Sequence, residues 1–389
     1  MVKNSNKKAS LMFLFSVSFV CQMVVGAVSI TVPIFAESLK ASTLIVGAIG
    51  SAGGLVYSFL PFVAGTYCDK TKRKIFVSAS LALYSFACLL YVFSEEVLTL
   101  VLAKIIEWSS VAIFWPAVEA LLADIGEIKL EETLRRFNLS WGSAMIIGPV
   151  IGGSLITAFS IKTPFIFAFL LSTIFCILSL IIIVEREKGS DQNIQASLSL
   201  KKASNRHYPL VPGLLSIFLF SSLDGIILSL FPAYATKLAI SAFNIGWIVF
   251  AFGVARVIIF SQTNKVEAKI KKKGMLLFGT LLLGAASLLT IISNTFPQYV
   301  ICFALYGSGT GFAYAASIAL VLGRWETTRG HAAGIFESII GFGYFAGPLI
   351  GGALSTFSDV APYYFGFALS LAVLLVQLFY STKNQKIDQ

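Results

Sequence analysis

Residues 32–47 read VPIFAESLKASTLIVG, and residues 231–246 read FPAYATKLAISAFNIG. Laid over one another they match Pro33 to Pro232, Ser42 to Ser241 and Gly47 to Gly246, a separation of 199 residues. The same ungapped offset sets Lys72, Arg73 and Lys74 over Lys271, Lys272 and Lys273. It also sets Gly142 over Gly341, and GPVIGG (148–153) over GPLIGG (347–352). Chance supplies one such match, but a register held through half the chain marks an internal duplication. The sequence therefore predicts two halves on one plan, residues 1–184 and 210–389. The polar stretch 185–209, rich in Lys, Ser, Asn and Gln, links them.

The solvent of these halves follows from composition. Of 389 residues, 57% are hydrophobic and 12% charged, with 34 Phe. Soluble domains carry about 25% charged residues, so this chain has too little polar surface to cover a globule in water. A membrane-spanning helix needs about 20 mainly apolar residues, and twelve such runs are present. They cover roughly 9–36, 43–66, 75–93, 97–123, 137–157, 163–184, 210–235, 243–263, 275–293, 297–323, 331–357 and 362–381. The first run follows Lys3, Lys7 and Lys8 as a leader would, yet it exceeds a leader's apolar core and eleven like it follow. The expected fold is an all-α membrane protein of twelve transmembrane helices in two pseudo-symmetric six-helix bundles. Cys21, Cys68, Cys88, Cys176 and Cys302 lie far apart without metal-ligand spacing and read as buried thiols.

The net charge of +10 is a matter of topology. All but five of the 29 Lys and Arg fall in the termini and the breaks after runs 2, 4, 6, 8 and 10. The opposite loops hold only Lys40, Lys162 and Lys237, while Lys104 and Arg256 lie within runs. Basic residues collect on the cytoplasmic side, so both termini are expected there, in a multi-pass protein of the plasma membrane. That bias accounts for the basic charge and removes the argument for nucleic acid. Halves of equal orientation imply a pseudo-twofold axis along the membrane normal, the arrangement of carriers whose bundles rock about a central site.

Residues 65–74 read GTYCDKTKRK, with Gly65, Asp69, Lys70, Arg73 and Lys74. This resembles the signature loop of the major facilitator superfamily, in which Gly, Asp and a basic cluster join helices 2 and 3; Lys72 stands where that family usually has Gly. Gly148, Pro149, Gly152 and Gly153 in run 5 look like the Gly-Pro motif of its exporting antiporters, repeated at Gly347 and Pro348. Small residues let helices approach and Pro kinks them, so a pivot is expected here, although a repeated motif also suits plain packing. Run 4, LAKIIEWSSVAIFWPAVEALLAD (102–124), resembles the family's helix 4, with Lys104 in place of its Arg and Trp108 in place of a Gly. The resemblance implies that helices 1, 4, 7 and 10 line a central cavity.

At about 100° per residue, Lys104, Glu107, Trp108, Trp115 and Glu119 share one broad face of run 4. Ionisable groups inside a membrane cost about 2.5–3.5 kcal/mol each and call for a role. Glu107 and Asp224, near midplane, are expected proton carriers, with Glu119 and Glu337 nearer the aqueous edge as further candidates. Fixed pairs, Lys104 with Glu107 and Asp224 with Arg256, are the structural alternative. Gln22, Trp108, Trp115, Tyr306, Thr310 and Tyr314, with Lys104, are expected to form an aromatic cavity for amphipathic or cationic organic solutes. Arg256 is assigned a structural, gating part.

No enzyme constellation is found: His207 and His331 fall in or beside loops, and no GxSxG, Walker or HExxH pattern occurs. No cofactor or metal is expected, and the partners are membrane lipid, protons and a small solute, with the protein acting as a monomer. The favoured reading is a proton-coupled exporter working by alternating access. Its rivals are a proton symporter importing a sugar or organic anion held by Lys104 and Arg256, and a non-transporting sensor or lipid-handling protein on the same scaffold.

Overall fold

The computed structural model describes residues 2–68, 72–125, 130–184, 210–324 and 329–385. These residues form α1 (Val2–Ser38), α2 (Thr43–Cys68), α3 (Arg73–Val92), α4 (Val97–Ile125), α5 (Leu130–Ala158) and α6 (Thr163–Ile182). The second half holds α7 (Leu210–Ser229), α8 (Phe231–Lys237), α9 (Ala242–Ile292), α10 (Phe296–Arg324), α11 (Arg329–Leu354) and α12 (Ala361–Gln385). No strand occurs among the described residues.

Two departures from the expected runs have local causes. The seventh run breaks at Leu230 into α7 and α8, because Pro232 in the first turn of α8 has no N–H to carry the ladder across. Runs 8 and 9 join in the 51-residue α9, which at 1.5 Å per residue would stretch ~76 Å, more than twice a hydrocarbon layer of about 30 Å. It therefore crosses twice. The break is Lys271, at φ 57° and ψ 169°, a backbone conformation foreign to helix. Twelve crossings result, and both termini lie on one side.

The offset of 199 reappears in the backbone. The first crossing ends at Lys40 and the seventh at Ala239, with φ of 59° and 58°. Ala41 N–H donates to the Ala36 carbonyl and Ile240 N–H to the Ala235 carbonyl, both at 3.0 Å, the Schellman closure of a helix. Ser42 and Ser241 then cap the next helices, their hydroxyls accepting from the amides of Ile45 and Asn244 at 3.4 and 3.3 Å.

Packing repeats as well. A Cβ on Gly26 would meet the Pro149 ring at 3.0 Å, and one on Gly225 the Pro348 ring at 2.9 Å, so α1 lies on α5 as α7 lies on α11. Between the halves, Gly47 of α2 leaves no room for a Cβ against the Pro348 carbonyl, and Gly246 of α9 leaves 2.6 Å against the Pro149 carbonyl. Each proline is thus touched from within its half and from across. Within the first half Gly152 presses on Ala27, and across the halves Gly153 presses on Ala242 and Gly352 on Gly47. The cross contacts close the seam on the side away from the termini, where Lys237 Nζ donates to Thr43 Oγ1 (3.0 Å) and Asp359 Oδ1 (2.8 Å), and Phe243 N–H donates to Thr157 Oγ1 (3.2 Å). Gly142 and Gly341 show where the symmetry fails. Nothing lies within 4 Å of a Cβ on Gly142, while one on Gly341 would sit 2.6 Å from the backbone of Ser58.

Candidate functional site

Among the described residues, each half holds an ion pair that lies within the expected runs. In the first, Lys104 Nζ lies 3.1 and 3.0 Å from the two oxygens of Glu107, and Tyr91 of α3 donates its hydroxyl to the same carboxylate at 2.7 Å. Both ends of the pair are buried. The turn of α4 explains the arrangement: Lys104 and Trp108 lie along one stripe, whereas Glu107 is rotated toward α3 and meets Tyr91, whose ring stacks on Phe165 at 4.8 Å. The expected common face is therefore divided. Lys104 faces the seam, and Glu107 faces the interior of its own half.

In the second half, Asp224 of α7 accepts from Arg256 Nη1 of α9 at 3.3 Å and from Thr310 Oγ1 of α10 at 2.9 Å. Asp224 is fully buried. The guanidinium lies 5.5–5.9 Å from the rings of Phe252, Phe260 and Tyr314, and its buried Nε has no hydrogen-bond partner. Both pairs anticipated from the sequence are formed, but their geometry differs. Glu107 receives three contacts of 2.7–3.1 Å, while Asp224 receives two and its single Arg256 bond, at 3.3 Å, is longer than any of the Glu107 contacts.

Aromatic groups bridge the halves between the pairs. The Trp108 ring lies 5.5 Å from Tyr57 of α2 and 5.7 Å from Tyr344 of α11. Tyr314 is surrounded by Phe220, Phe260 and Phe336 at 5.3–5.8 Å. Toward the terminal side lie Glu119 of α4 and Glu337 of α11, with Tyr57 beside Glu337. Glu119 is exposed and Glu337 half-buried.

Other expected residues are placed elsewhere. Trp115 packs on Phe137 and Trp141 of α5. Tyr306 is fully buried and donates to Ser287, inside the second half. Gln22 is half-buried in α1. Of the signature loop, Gly65 lies in the last turn of α2, while Asp69 and Lys70 fall outside the described residues. Arg73 Nη1 donates to the Ala120 carbonyl of α4 at 2.9 Å, and the Lys74 carbonyl accepts from Ser78. Lys72 caps α3 in an ordinary extended conformation, φ −74° and ψ 112°, which needs no glycine. Sequence reading passed over Tyr57, Tyr91 and Tyr344. Tyr57 carried a signal, since it lies at offset 199 from Arg256. The side chains of His207 and His331 fall outside the described residues. Among the described residues no group of three or more His, Cys, Asp or Glu could hold a metal ion.

The profile of the Major Facilitator Superfamily matches residues 14–223 and again 213–388. The quinolone resistance protein NorA of Staphylococcus aureus strain MRSA252 is 24% identical over 381 residues, covering 94% of this chain and 95% of that protein. An MFS-type transporter of Methanocaldococcus jannaschii, MJ1560, is 23% identical over 359 residues, covering 89% and 91%. Among solved structures, the nucleoside transporter NupG superposes with a TM-score of 0.77 at 14% identity, covering 96% of this chain and 98% of that one. A bacterial homolog of the human lysosomal transporter Spinster, inward-facing and unoccupied, gives 0.75 at 10% identity, covering 97% and 96%.

Proposed function

The chain belongs to the Major Facilitator Superfamily, and from that membership we propose a proton-driven exporter of amphipathic or cationic organic solutes. It works by alternating access, with the terminal side in the cytoplasm and the Glu185–Pro209 linker joining two six-helix bundles. The observation that carries the reading is the Asp224–Arg256 pair. A carboxylate inside a membrane is held there by a 2.9 Å bond from Thr310 and one 3.3 Å bond to a guanidinium that three aromatic rings also surround. Protonation of Asp224 releases Arg256 at modest cost, because cation–π contacts of about 0.5–2 kcal/mol each remain to it. Glu107 has Lys104 and Tyr91 fixed upon it and is the less exchangeable of the two. Glu119 and Glu337, one from each half beside Tyr57, provide negative potential and an aromatic wall for a cation on the inner side.

Export has support in the likeness to NorA, whose name records quinolone resistance. The decisive experiment is solute-driven proton flux in proteoliposomes with a panel of aromatic amines. An acid-filled inverted vesicle is expected to accumulate the amine and to alkalinise as it does so. Asp224→Asn is expected to abolish that coupled proton movement while Glu107→Gln retains it in part. Unaltered coupling in Asp224→Asn rejects Asp224 as the carrier, and accumulation driven only in the opposite sense rejects export.

A further inference from the structure

A small pocket lies under the seam on the side away from the termini, lined by Ser29, Val32 and Pro33 of α1, Val46, Ile49 and Gly50 of α2, Lys104 of α4 and Ser229 of α7. Its walls come from both halves. Gly50 and Ser229 form the closest approach, where a Cβ on Gly50 would collide with the Ser229 hydroxyl. The space is about 20 Å³, close to the minimum for one water-sized group.

The polar groups around it are unbalanced. The Lys104 ammonium has three donors; its two hydrogen bonds both go to the Glu107 carboxylate and the Trp108 ring lies 5.7 Å away, so among the described residues no oxygen but those of Glu107 accepts from a side chain only 8% exposed. Ser229 has no side-chain hydrogen bond among the described residues. The Ser29 hydroxyl gives its proton to the Gly26 carbonyl at 2.8 Å. The rest of the lining is apolar. Lys104 and Ser229 thus line one largely apolar space from opposite halves, and no acceptor is bonded to either of them there. Unmet donors in a buried space are unfavourable, so the groups that suit it are acceptors.

We propose that Lys104 and Ser229 form a subsite for an acceptor oxygen, carbonyl or carboxylate, on the transported solute, engaged when the seam parts. The inference rests on the transporter reading above and adds a specificity to it: the favoured solute joins its cationic, aromatic body to an oxygen acceptor. Glu107 is held by Lys104 and Tyr91, so the subsite is distinct from the Asp224–Arg256 pair that carries the coupling reading. The solute meets this oxygen site at the outer end of its path, because pocket and seam are the same place.

The test uses two matched pairs, an aromatic amine with a ketone and its methylene analogue, and the same amine with a carboxylate and its methyl analogue. Transport is measured in proteoliposomes for the unaltered protein and for Ser229→Ala. The oxygenated member is expected to have a KM about 10-fold lower, and Ser229→Ala to reduce that ratio at least threefold by raising only the oxygenated solute's KM. Which pair shows the effect distinguishes a carbonyl from a carboxylate. Ser229→Cys gives a second reading that needs no turnover: the oxygenated member, and not its analogue, is expected to protect it from a membrane-impermeant maleimide. Equal KM ratios in the two proteins, with the methylene solute still moving against protons, overturn the subsite and leave the export reading standing. Protection without any transport of either member overturns export and leaves the subsite.

Discussion

Lys40 and Ala239, separated by 199 residues, close the first and seventh crossings with the same left-handed backbone, φ 59° and 58°, and the same 3.0 Å return bond. Neither residue is the glycine that this conformation favours, so both positions hold strain of about 1–2 kcal/mol. Lys40→Gly and Ala239→Gly are each expected to raise thermal stability in detergent, by ~1 kcal/mol. Unchanged or lowered melting in both would contradict the shared turn.

Gly142 and Gly341 occupy matched places in sequence but opposite surroundings. Alanine at Gly142 meets nothing within 4 Å and is expected to stabilise its helix by about 0.5–1 kcal/mol. At Gly341 the added methyl lies 2.6 Å from the Ser58 backbone and forces α2 and α11 apart. Gly341→Ala is expected to lose transport and melt several degrees lower. Equal melting temperatures for the two variants would refute the close α2–α11 approach.

Arg256→Met leaves buried Asp224 with no cation and only the Thr310 hydroxyl, and removing one partner of such a pair destabilises by about 3–5 kcal/mol. Asp224→Asn combined with Arg256→Met is expected to recover most of that stability while remaining uncoupled. A double variant as unstable as the single one would show that Arg256 matters through packing on Phe252, Phe260 and Tyr314 and not through charge.

Lys237 ties the second half to Thr43 across the seam and to Asp359 within its own half. The pair is well exposed, so its worth is about 0.2–1 kcal/mol and falls with salt. Lys237→Met is expected to shift the balance toward parting on that side by up to about fivefold, read as faster labelling of Ser29→Cys by an impermeant reagent. High salt should reproduce the effect in the unaltered protein and add nothing in the variant.

The twelve crossings were legible because lipid demands long apolar runs and because the duplication repeats its turns and glycines at one offset. Both ion pairs were legible too, since so few charges lie within the runs. What α4 does with Glu107 was not. Helical periodicity puts it within reach of Lys104, but the choice of α3 as its neighbour is made by Tyr91, which no local pattern announces. Tyr306 was misplaced for a similar reason: it shares a face with Thr310, yet its long ring reaches Ser287. Ser29 and Ser229 passed unnoticed because serines in membrane helices usually bond back to a carbonyl one turn earlier, as Ser29 does to Gly26 and Ser229 does not.

The seam between the halves is made largely of glycine against carbonyl, at Gly47 on Pro348 and Gly246 on Pro149. Such a joint has no rotamers to rearrange, so it has a single shut setting and little ability to adapt around an object caught in it. If the halves part and close there, a cargo must be wholly past the joint or wholly below it before it shuts, which sets an upper bound on cargo length beside whatever chemistry the seam selects.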